Sequence, residues 1–170
     1  MRTRQRDHEI EPPRAPWSEI RPGLWMGGHY WVDPAGEMQP VVVDDEFDLV
    51  LSLFGRPGHG PAPGVEHHVA EVPDAPLSSA ELARVRALAA LAERALRDGR
   101  AVLVRCHSGY NRSGLVVAET LRLLGHDHPT ALGLIRRHRS PWALNNTVFE
   151  QYLAVGLDIA GLLTGLEEPA

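Results

Sequence analysis

Val102-Leu103-Val104-Arg105-Cys106-His107-Ser108-Gly109-Tyr110-Asn111-Arg112-Ser113-Gly114 is the stretch that decides the fold. Its apolar start predicts a buried strand near residues 101–105, and the run from Ser113 to Leu124 predicts a helix that begins where the loop ends. The only cysteine of the chain therefore falls in a short loop at a helix N-terminus. The first N–H groups of a helix lack intrahelical partners, and the dipole adds roughly half a positive charge. The amides of residues 107 to 112 are thus expected to point at an anion, and together with Arg112 they favour the thiolate form of Cys106. Arg112 carries a planar fork that matches two oxygens of a phosphoryl group. Gly109 permits a tight turn and close approach of the backbone. His107, Ser108, Gly109, Tyr110 and Asn111 complete the expected phosphate-binding set, and Ser113 is placed to donate a hydrogen bond to the sulfur.

Working outward, strands are predicted near 20–26, 47–53 and 65–70, and helices near 79–98, 129–139 and 146–163. Ser78 with Glu81 forms a capping-box signature, Leu82, Val85, Leu88 and Leu96 mark one helix face, and Gly99 marks its end. The helix after the loop is apolar on most sides, which makes it the buried central one. The order implies an α/β single domain: a central, mostly parallel sheet flanked by helices, with the phosphate-binding loop between a central strand and a buried helix. Residues 1–16 are polar, arginine-bearing and proline-rich, and are expected to form a flexible N-terminal arm before a domain spanning 17–165.

With 170 residues and a net charge of −5, the chain suits one core and lacks the basic surface of a general nucleic-acid binder. No apolar run approaches the roughly 18–20 residues of a membrane span, and residues 1–16 hold no apolar core of a signal peptide. A single cysteine forms no internal disulfide, so a reducing, cytoplasmic setting is expected. The nine histidines do not suggest a metal site: His67 and His68 are adjacent and point to opposite faces of a strand. Arg136-Arg137-His138-Arg139 reads as cations at a helix C-terminus, with a rim that attracts anionic substrates as the alternative, and Asp44-Asp45-Glu46 as a solvated loop. His29, Tyr30 and Trp31 read as a partly buried turn, with a pocket wall as the alternative.

Cys106, Gly109, Arg112 and Ser113 reproduce the pattern C-x-x-G-x-x-R-[ST], which resembles the cysteine-dependent protein tyrosine phosphatases, particularly their small dual-specificity branch. Less specific segments that agree are Ile20 to Gly28, Phe47 to Leu53, Ile135 to Arg139 with Pro141, and Asn145 to Phe149. The resemblance implies a metal-free and cofactor-free hydrolase in which Cys106 attacks phosphorus to form a phosphocysteine. It also implies an aspartate acid about thirty residues before the cysteine, and the proline-bounded loop Glu71 to Leu77 offers Asp74, with Glu71 as the alternative acid. The implied catalytic set is Cys106, Arg112, Asp74 and Ser113. The implied substrate is a phosphorylated protein, phosphotyrosine first and phosphoserine or phosphothreonine second. Asn111 before the arginine also resembles the loop of cysteine-dependent RNA 5′-triphosphatases, which gives a second class of phosphate ester. One residue departs from the family: the place before the cysteine, usually histidine, is Arg105. That departure admits a third possibility, a phosphate-binding pseudophosphatase.

Overall fold

The computed structural model describes residues 11–170. Its strands are Trp17–Arg21 (β1), Leu24–Gly28 (β2), Tyr30–Val32 (β3), Met38–Pro40 (β4), Leu49–Ser52 (β5), Glu66–Val69 (β6) and Val102–Cys106 (β7). The main sheet has the order β1-β2-β7-β5-β6. All its pairings are parallel except the β1–β2 hairpin. The helices are Ser79–Arg97 (α1), Arg112–Leu123 (α2), His128–His138 (α3), Thr147–Val155 (α4) and Leu157–Glu167 (α5). The architecture is the single α/β domain anticipated from the sequence.

All five residues of β7 are buried, because the strand has neighbours on both edges and layers on both faces. Strand alternation sorts its side chains. Val102, Val104 and Cys106 belong to the large cluster with Leu24, Met26, Leu49, Leu51 and the inner faces of the helices. Leu103 belongs to a smaller cluster with Val43, Phe47 and Val50, edged by Trp17 and Trp25. One face of the sheet is thus covered by helices and the other by the connections from β4 to β5 and from β5 to β6. Helix α1 starts at the expected capping box: Ser78 Oγ accepts from the Glu81 N–H and Glu81 Oε2 accepts from the Ser78 N–H. Its Leu82, Val85 and Leu88 are buried, and each such side chain contributes roughly 1.5–3 kcal/mol of burial free energy.

Three features differ from the sequence reading. The strand expected over 20–26 is a hairpin, since Pro22 and Gly23 turn the chain between β1 and β2. A second hairpin, β3–β4, forms where only a turn was expected. The helix expected over 146–163 is broken at Gly156, whose φ of 103° ends α4 and redirects the chain into α5 along α1. Of the expected N-terminal arm, residues 1–10 lie outside the described residues. Residues 11–16 are tied to the domain through the carbonyls of Glu11, Pro13, Ala15 and Pro16, which accept from Ser140, Trp31 and Arg139.

Candidate active site

The parallel strand β7 ends at Cys106, and the chain turns through residues 107–111 into α2, which begins at Arg112. Cys106 is buried at the base of this turn. The Gly109 N–H points back at Cys106 Sγ at 3.3 Å, and Ser113 Oγ lies 3.4 Å from the same sulfur. Gly109 has φ +74°, and a Cβ there would stand 2.6 Å from both Arg139 Nη2 and the carbonyl carbon of Gly27. The turn accepts only glycine at that point. The loop carbonyls face the other way: Cys106 O accepts from the His29 N–H and His107 O from the Tyr30 N–H, which ties the loop to the residues joining β2 and β3.

Arg139, at the C-cap of α3, is buried beneath the loop. Its Nε donates to Gly109 O at 3.1 Å and Nη2 to Ser108 O at 3.4 Å, while Nη1 reaches Ala15 O, Pro16 O and Ser18 Oγ. Burial lowers its pKa to about 10, opposed by attraction to Tyr110 and Cys106. It therefore stays charged at neutral pH, a cation beside the sulfur. Nothing in the sequence marked this arginine out from its basic neighbours.

Arg105 points to the opposite face of the sheet. Its Nε donates to Ser52 Oγ at 2.9 Å, Nη1 to His59 O at 2.8 Å and Nη2 to Gly60 O at 2.6 Å. Burial lowers its pKa to about 10. His29 and His67 lie within its electrostatic reach. His29 is fully buried, with Nε2 donating to Phe54 O at 2.8 Å, and burial followed by the Arg105 charge lowers its pKa to about 4. It is therefore the neutral imidazole that lies behind the loop.

Arg112 Nη1 donates to Val72 O at 3.3 Å, and its guanidinium lies 5.7 Å from the Phe54 ring. Its Nε is buried and has no protein partner among the described residues. At the mouth, the His107 ring lies 4.8 Å from Tyr30 and 5.1 Å from Phe54, and Arg56 sits 6.0 Å from the Tyr30 ring. His107 Nδ1 and Ser108 Oγ are hydrogen-bonded at 2.8 Å. Of the aromatic trio, His29 is interior, Tyr30 lines the mouth, and Trp31 bonds to Pro13 O. Both of the readings offered for these residues are therefore met in part, by different members.

Asp74 is brought to the loop by a segment that follows β6. Its Oδ2 accepts from Asn111 Nδ2 at 3.0 Å and its Oδ1 from Asn146 Nδ2 at 2.8 Å. Glu71 faces Gly55 instead. The side chain of Asn111, whose backbone amide was expected to face the phosphate, is directed at the carboxylate of Asp74. Asn145 and Asn146 were singled out in the sequence only as part of a segment leading to a helix. Among the described residues no group of three metal-ligating side chains converges.

A thiol at the base of an amide turn, with an arginine at the start of the helix and a carboxylate beside it, is an arrangement suited to phosphoryl transfer. No protein-family model and no curated protein sequence matches the chain. Solved structures do. Human DUSP28 is 27% identical, aligns over 88% of this chain and 97% of its own, and superposes with a TM-score of 0.68. OH1 from the Orf virus, a tyrosine phosphatase with triple substrate specificity, is 15% identical over 85% of this chain and 90% of its own, with a TM-score of 0.58. PTPMT1 in complex with PI(5)P shares 14% identity over 86% of this chain and 99% of its own, with a TM-score of 0.59. The last two likenesses concern the fold. The loop pattern and the fold agree in their likeness to the small dual-specificity members of the cysteine-dependent protein tyrosine phosphatase superfamily.

Proposed function

We propose that this protein is a metal-independent phosphatase that hydrolyses phosphate monoesters through a phosphocysteine, with protein phosphotyrosine as the first substrate class. The observation that carries the proposal is the pairing of Cys106 Sγ with the Gly109 N–H and Ser113 Oγ inside a turn that ends at Arg112. In the first step Sγ attacks phosphorus in line, the bond to the leaving oxygen breaks, and Asp74 passes its proton to that oxygen. The loop amides and Arg112 hold the equatorial oxygens as charge spreads over them. In the second step Asp74 takes a proton from water, the oxygen attacks phosphorus, and the sulfur leaves as a thiolate stabilised by Ser113.

The aromatic walls formed by Tyr30, Phe54 and His107 favour an aryl phosphate over a short alkyl one. Phosphoserine and phosphothreonine would lack that stacking surface. A binding-only role loses its main support, because Arg105 faces away from the cysteine and does not obstruct the loop. Hydrolysis of an aryl phosphate in reductant and EDTA, by wild type and Cys106→Ser side by side, tests the proposal. Turnover in the wild type that vanishes in the serine variant is expected. No turnover in either, or equal turnover in both, would overturn it.

A further inference from the structure

The acid proposed above is carried on an exposed, proline-flanked segment, yet its carboxylate is held from both sides. Asn111 lies in the phosphate loop, one residue before Arg112, and occupies the N-cap position of α2. Asparagine favours that position because its side chain can accept from the first amides of the helix. Here it makes no such bond. Its Nδ2 turns outward to Asp74 Oδ2, with a longer contact of 3.4 Å to Asn145 Oδ1, and its Oδ1 accepts from the Asn146 N–H at 3.0 Å. Asn146 caps α4 in the ordinary way through its Oδ1, which accepts from Val148 and Phe149, and this leaves its Nδ2 free to donate to Asp74 Oδ1. Two amides from two helix N-termini thereby take one lone pair on each carboxylate oxygen. The two asparagines are themselves joined.

We infer that Asn111 and Asn146 are positioning residues that fix the Asp74 carboxyl relative to the phosphate loop, so that the loop binding the phosphoryl group also sets the place of the acid. The inference rests on the assignment of Asp74 as the acid. A carboxyl group offers about four lone-pair sites, so the amides leave one on each oxygen for the proton that is transferred. As that proton moves to the leaving oxygen, negative charge develops on Asp74. Both N–H donors are already aimed at it, so their hydrogen bonds strengthen in the transition state without reorganisation. The same two bonds hold the carboxylate in place for the hydrolysis of the phosphocysteine.

The test uses two substrates, nitrophenyl phosphate with its good leaving group and phenyl phosphate with its poor one. The variants are Asp74→Asn, Asn111→Ala, Asn146→Ser and both double variants with Asp74→Asn. Serine keeps an N-cap acceptor for α4 while falling short of Asp74. Asn111→Ala and Asn146→Ser are each expected to lower kcat on phenyl phosphate by about 10-fold and on nitrophenyl phosphate by less than about 3-fold, a part of the full general-acid contribution. In the Asp74→Asn background the further loss should disappear, because the asparagines act through that carboxyl. Equal losses on both substrates, or losses that persist in the double variants, would overturn the inference and leave the asparagines as props of the loop. If Asp74→Asn itself shows no preference between leaving groups, the assignment of the acid fails instead.

Discussion

Among the described residues two arginines are buried with no carboxylate partner, and they behave differently. Arg105 stands next to Cys106 in sequence, and Arg139 is far from it. Both spend their donors on neutral oxygens, chiefly backbone carbonyls, and both are lowered to a pKa of about 10 by burial. Yet Arg105 fastens the residues around His59 and Gly60 on the far face of the sheet, while Arg139 fastens the phosphate loop at Ser108 and Gly109. Adjacent residues on a strand point to opposite faces, so the charge nearest in sequence is directed away from the sulfur. The distant one serves it.

The largest effect expected on this contrast is on stability. Arg105→Met removes three donors, strands the carbonyl of Gly60 and leaves that of His59 with only the Val43 N–H, which should cost about 4 kcal/mol of unfolding free energy, while kcat of the folded fraction changes by less than about 3-fold. Denaturant titration alongside kinetics checks both halves, and a large loss of kcat would break the comparison.

Next comes acid. His29 has a folded-state pKa of about 4 against 6.5 for the free side chain. As pH falls through 6.5 the unfolded chain takes up a proton that the folded one refuses until about 4, so stability is lost across that window and levels off below it. The loss from this group is about 3 kcal/mol. His67 and His107, also lowered by burial and by nearby arginines, add to it in the same direction. His29→Gln should flatten the profile of unfolding free energy against pH between those values. An unchanged slope would mean that burial and the Arg105 charge do not hold His29 neutral in the folded protein.

Arg139→Met should lower kcat/KM by about 100-fold, since a small displacement of the loop costs that much in a positioned reaction. Its effect should exceed that of Arg105→Met on the same assay, and the reverse order would invert the assignment of the two residues. The smallest change is Ser52→Ala. It removes the acceptor of Arg105 Nε and should cost about 1 kcal/mol without altering kcat, as measured by thermal unfolding and initial rates.

The loop and its flanking elements were legible because short-range patterns specify them: an apolar run, one cysteine, a glycine and an arginine at fixed spacing. Helix α1 was legible for the same reason, through its capping box and one apolar face. The break at Gly156 was not, since an isolated glycine in an apolar helix pattern costs only about 1 kcal/mol and does not by itself demand a bend. The β3–β4 hairpin escaped because its strands are three residues each and lack apolar alternation. The orientation of Arg105 follows from the two-residue period of its strand and could have been read. The roles of Arg139, Asn111 and Asn146 rest on side chains that bond to partners thirty or more residues away, and such bonds leave no periodic trace.

One guanidinium, that of Arg139, grips the backbone of Ala15 and Pro16 with one nitrogen and the phosphate loop with the other two. Mechanically, it is a coupling link between the segment ahead of β1 and the loop around Cys106. Tension applied ahead of β1, by an attached tag, a surface or a neighbouring chain, has in this side chain a direct route to Ser108 and Gly109.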